Sequence, residues 1–224
     1  MARSRRKRQG LFLAGFGIYF VFLWIFWNTP IVYPVQVFVV FLHEISHGVA
    51  AIMTGGSIQR ITLNPRLGGA CYCPGGNAFI TLSAGYLGSL VWGGLILEVG
   101  RKAGRRANRV TGGIGVAVIL LTFLFVRSAF GILFGVLFGA FLLLAARALR
   151  DQANRLLLMG VGLTSCLYAI LDIKTDILDR PHLPSDAYML AQLTGIPTVA
   201  WGVAWIGAAV LISVWLLIRA FREA

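Results

Sequence analysis

The sequence predicts an all-α polytopic membrane protein of six or seven transmembrane helices, with a small β-hairpin or β-sheet inserted after the second. Three observations carry this. Of 224 residues, 58% are hydrophobic and only 12% charged, about half the ~25% charged residues of soluble domains. The mean hydropathy is +0.82. Runs of about 20 mostly apolar residues, long enough to cross a bilayer as helices, recur along almost the whole chain. So little lies between them that residues 1–224 read as a single membrane-embedded domain.

The first run, 11–27, follows the basic tail "RSRRKR" with no small-residue cleavage site after it, and reads as an uncleaved anchor. The second, 32–53, contains "VVFLHEISHGVAA". The texture then changes over 54–77, where "GGSIQRITLNPRLGGACYCPGG" is rich in glycine and β-prone pieces. Arg60, Asn64, Pro65 and Arg66 interrupt any apolar run, and Gly-Gly pairs bracket the strand-like stretches, so short strands are expected. Open strand edges cannot face lipid. This segment therefore belongs at the interface or against helices and water. The third run is 78–98; the fourth and fifth, 110–127 and 129–146, are parted only by Arg127 and Ser128, which predicts a tight hairpin or an irregular pair. The sixth and seventh are 156–172 and 199–219. Glycines in "SAGYLGSLVWGG" and "TGGIGVAV" let such helices approach closely.

The net charge of +12 does not point to nucleic acid, because the basic residues sit in short blocks beside apolar runs, where they meet lipid phosphates. If seven spans alternate, ten of the 20 Lys and Arg residues fall on each side, so charge leaves the orientation tied. The three cysteines, Cys71, Cys73 and Cys166, do not make a disulfide framework and are expected as free thiols.

The chemistry lies in "HEISH". On a helix, His43 and His47 stand one turn apart on one face, so both imidazoles reach one ion. Zinc in a catalytic site usually takes three protein ligands and a water. Glu44, beside the first ligand, is placed to act as general base in the H-E-x-x-H arrangement of metalloproteases. Charged groups in a membrane span are expensive and mark function by default. One Zn²⁺ per chain is the expected cofactor.

The third ligand is less plain. Glu98 sits at the far end of the third span, Asp151 in a basic loop, and His182 in the polar loop "RPHLPSD". Half of the eight acidic residues fall between 172 and 186, and Asp172, Asp176 and Asp179 share one face if the sixth helix continues. Asp172, the first carboxylate after the apolar run, stands first as ligand. Asp176 follows, as an alternative ligand or as a partner orienting a histidine. Asp179 and Asp186 are expected outside the ligand set.

"FLHEISHGVAAIMTGG" followed by "LYAILDIKTD" resembles the site-2 protease family of intramembrane zinc metalloproteases, in its compact bacterial and plant-type branch. The resemblance implies His43 and His47 as ligands, Glu44 as general base and Asp172 as the aspartate of the family's L-D motif. It implies hydrolysis of another protein's transmembrane segment, held as an added strand along 54–75. It also places the protein in a bacterial inner or plasma membrane, with the active site toward the cytoplasm and a cytoplasmic amino terminus. Scarcity of glutamate argues against a prenyl-protein type protease. The rival readings are a metal transporter and a helix-binding relative that does not cut. Substrate identity and oligomeric state are not legible.

Overall fold

The computed structural model describes residues 2–178, 182 and 184–223. In chain order the elements are α1 (Ala2–Phe26), α2 (Tyr33–Met53), β1 (Arg60–Leu63), β2 (Gly69–Tyr72), α3 (Ala78–Lys102), α4 (Ala107–Phe125), α5 (Ala129–Ala148), α6 (Asp151–Ile173), α7 (Asp186–Thr194) and α8 (Thr198–Glu223). Seven of these helices, all but α7, are long and apolar enough to cross a membrane. The expected all-α membrane fold with one small sheet is the fold observed.

The H-E-x-x-H helix is the innermost. α2 starts with Pro34 in its first turn, where a missing N–H costs nothing, and is buried from Gln36 to Leu42 and through most of Glu44–Ala51. α3 and α6 pack antiparallel through glycines; a Cβ on Gly162 would stand 2.5 Å from the Leu97 nitrogen. Small residues thus set the helix spacing, as membrane packing requires.

The strands at 54–75 form one antiparallel hairpin, with Arg60 opposite Tyr72 and Leu63 opposite Gly69. Its tight end is fixed by Asn64, whose side-chain oxygen accepts the Arg66 N–H at 2.8 Å and the Gly68 N–H at 3.3 Å. The short linker between the fourth and fifth spans covers the outer edge of β1. Arg127 N–H donates to the Ile61 carbonyl at 2.9 Å, and Leu63 N–H donates to the Ser128 hydroxyl at 2.9 Å. Ser128 also caps α5 through the Gly131 N–H. β2 has no second strand partner among the described residues.

Four features depart from the sequence expectation. First, α1 does not alternate with α2. Gln9 meets the Phe221 carbonyl, Tyr19 meets Gly160 and Thr164, and Trp27 stacks on Tyr168, so α1 runs in the direction of α6, as α2 does. By sequence position, the five basic residues of the tail therefore join the ten at 101–109, 147–155 and 219–222 at the end where α3 and α8 finish. Second, α6 runs on into a π-helical turn, Lys174–Leu178. Asp172 and Asp176 still line one cavity, as a shared face requires, and Asp179 lies outside the described residues. Third, the stretch after α6 is not only loop: α7 begins at Asp186, capped by the Ser185 side chain, and stops at Gly195, whose φ of +75° suits glycine. Cys71 and Cys73, expected as free thiols, are joined to each other, while Cys166 is free and buried.

Candidate metal centre

α2, α3 and α7 build the site. His43 and His47 project from one face of α2, their ring centroids 4.7 Å apart. α3 passes close behind them because residue 85 is glycine; a Cβ there would run into both imidazoles. α7 lowers Asp186 onto the same spot. Its Oδ2 stands 2.9 Å from His43 Nε2 and 3.1 Å from His47 Nε2. Burial alone would raise the Asp186 carboxyl, but the two imidazoles outweigh that and hold it below the usual carboxylate range.

The hydrogen-bond partner of His47 suits a metal ligand once that imidazole is neutral. The Thr81 carbonyl can only accept, so His47 Nδ1, 2.7 Å away, carries its ring proton and a neutral His47 turns the Nε2 lone pair toward Asp186. A fixed tautomer of this kind is how proteins orient metal-binding histidines. Two Nε2 atoms and one carboxylate oxygen thus converge. Ligand pairs around a tetrahedral zinc at about 2.0 Å stand about 3.3 Å apart, slightly wider than the separations found here. His43 Nδ1 is buried without a partner among the described residues, and the His43 ring packs edge-on against Tyr86 at 4.7 Å.

Glu44 lies on the neighbouring face and is 4% exposed. It accepts the Cys71 backbone N–H and abuts β2 at Gly69, where any side chain would displace it. The general-base candidate therefore touches the hairpin and feels the charge of the imidazole pair at once. All of these groups line one cavity of about 780 Å³.

The other sequence candidates are distributed as follows. Asp172, at the end of α6, lines the same cavity and is hydrogen-bonded to Tyr168, but stands outside the trio of His43, His47 and Asp186. Asp176 accepts from the Tyr86 hydroxyl at 3.3 Å. His182 is exposed in the connecting loop. Glu98 is at the far end of α3, held by Arg101, Lys102 and Arg219. Asp186, which the sequence reading set aside, is the carboxylate that meets both histidines. Depth counted from the apolar run misplaces it, because the chain folds back after the π-helical turn. The signal was present in "PSDAYMLAQLTG", a serine cap and a glycine stop enclosing a short helix that starts with the aspartate.

A buried H-E-x-x-H helix in a bundle of membrane-spanning helices, with a carboxylate against its imidazoles, is the layout of a membrane metallopeptidase. The profile of the Peptidase M50B-like family matches residues 16–217. The chain belongs to this family, within the site-2 protease group that its motifs resemble. No curated protein and no solved structure matches it.

Proposed function

We propose that the protein is an intramembrane zinc endopeptidase, with one Zn²⁺ held by His43, His47 and Asp186. The observation that supports this best is the convergence of two imidazole nitrogens and one carboxylate oxygen, within 3.1 Å of that oxygen, beside a buried glutamate. Bound there, zinc would polarise the scissile carbonyl and lower the pKa of a water toward about 7. Glu44 takes a proton from the attacking water and returns it to the leaving amine. Asp172 and Asp176 lie behind the trio, where Tyr168 and Tyr86 hold them.

The substrate is another protein's transmembrane segment, locally extended. On the side of β2 away from β1, where Glu44 takes the Cys71 N–H, the remaining backbone groups are available for strand addition, and Gly69 brings that strand against Glu44. We place the site end toward the cytoplasm of a bacterial inner or plasma membrane, a reading that kinship with site-2 proteases supports. The fifteen basic residues at the opposite end pull against that orientation, because basic loops favour the cytoplasm; it rests on the family alone.

The test is cleavage of single-span substrates co-reconstituted with the protein. Zinc-dependent cleavage by wild type, and none by Glu44→Gln with its zinc retained, is the expected result. Equal cleavage by Glu44→Gln removes Glu44 from the chemistry. A zinc-loaded wild type that cuts no substrate favours a transporter or a non-cutting binder.

A further inference from the structure

The bridge between Cys71 and Cys73 borders the metal cavity, which both residues line together with His43, Glu44 and His47. Cys71 belongs to β2, opposite Ile61, and its backbone N–H is the one that Glu44 accepts. Beyond β2 the two arms of the hairpin stay paired. Gln59 N–H donates to the Tyr72 carbonyl at 2.9 Å, and Ser57 N–H to the Pro74 carbonyl at 3.0 Å. Successive residues of an extended chain turn their backbone groups to opposite sides, so Cys71 and Cys73 both face away from β1. The bridge therefore ties together two consecutive positions of the edge on which a substrate strand would add.

Such a bridge adds little to the stability of the fold. It encloses one residue, Tyr72, and a cross-link acts through the chain entropy of the loop it closes, which is small for so short a loop. What it changes is the length of the edge. The two Cα atoms are 5.6 Å apart, whereas two residues of an extended strand advance about 6.4–6.8 Å. The closed edge is thus about 1 Å short of the repeat that keeps an added strand in register. On the cytoplasmic side, where we place the site, thiols are kept reduced, and bridges that form there are usually transient and redox-sensing.

We propose that Cys71 and Cys73 form a reversible dithiol–disulfide switch on the substrate edge: the dithiol admits the substrate strand, and the bridge, the state the structure holds, withholds it. This rests on the peptidase reading above and adds its regulation. The couple that works the switch is a small thiol and its disulfide, of the glutathione class, for which the cavity of about 780 Å³ has room. On closure, one cysteine sulfur attacks the small disulfide, releasing one small thiol and leaving a mixed disulfide. The second cysteine sulfur then displaces the other small thiol. The pair loses two electrons and two protons, and the small disulfide becomes two thiols. Opening is the reverse.

The test uses zinc-loaded wild type and Glu44→Gln, each reconstituted with a single-span substrate and equilibrated with reduced or oxidised glutathione. Alkylation and mass spectrometry count the free thiols. Oxidation should close the bridge and lower wild-type cleavage by about tenfold or more, mainly through KM. Substrate capture by Glu44→Gln should weaken to match, with zinc content unchanged. Cys71→Ser/Cys73→Ser should show a ratio of one between the two conditions, whatever its absolute rate. Cleavage and capture that ignore the state of the bridge, a bridge that forms in neither condition, or a redox dependence that survives in the serine variant overturns the proposal. Redox-dependent capture by a zinc-loaded wild type that cuts nothing keeps the switch and removes the peptidase reading; cleavage that ignores the bridge does the reverse.

Discussion

Gly85→Ala is expected to loosen the metal centre without removing any ligand. The new Cβ would press on Nε2 of both histidines and stand 2.6 Å from His43 Cε1. Neither ring can yield freely. His47 is tied to the Thr81 carbonyl at 2.7 Å, and His43 is packed edge-on against Tyr86 at 4.7 Å. Overpacking of a tight site costs about 1–3 kcal/mol. If that falls on the liganded state, at about 1.4 kcal/mol per decade zinc affinity drops about 5- to 150-fold. Competition with a calibrated chelator measures the affinity, and circular dichroism checks that the helices persist. Wild-type zinc affinity in a folded Gly85→Ala protein would refute the claim that α3 backs the ligand nitrogens.

Two further outcomes are expected. Ser185→Ala removes the cap that accepts the Tyr188 N–H at 3.2 Å; at about 1 kcal/mol per lost cap, chelator titration should read zinc binding up to about fivefold weaker, and unchanged binding would separate α7 from the metal site. In a background with Cys71 and Cys73 replaced by serine, a thiol at Arg105→Cys should react with an impermeant reagent only from outside the cell; reaction only from the cytoplasm would reverse the orientation while leaving the chemistry intact.

The spans, the hairpin and the motif helix were legible because each rests on a local signal. Apolar length marks a span, and a buried H-E-x-x-H stands out where polar groups are costly. The break at Arg60–Arg66 announced the hairpin, and its turn is indeed held by Asn64. What escaped depends on where the chain goes after a helix ends. The direction of α1 cannot be read from its composition, since a helix of that length fits either way. The place of Asp186 depends on a π-helical turn and a fold-back that bring a residue 143 positions away from His43 into contact with it. A depth scale counted along the sequence fails at such a reversal, and only the serine and glycine enclosing α7 hinted at it.

The zinc content of the purified protein and its carboxylate variants tests the central claim most directly. One zinc per chain is expected in wild type, and none in His43→Ala/His47→Ala. Asp186→Asn should lose most of the metal under mild chelation, since replacing a carboxylate by an amide removes a charged ligand from a low-dielectric site, while Asp172→Asn keeps it. Full zinc in Asp186→Asn together with loss in Asp172→Asn would contradict the account and return the third ligand to the end of α6.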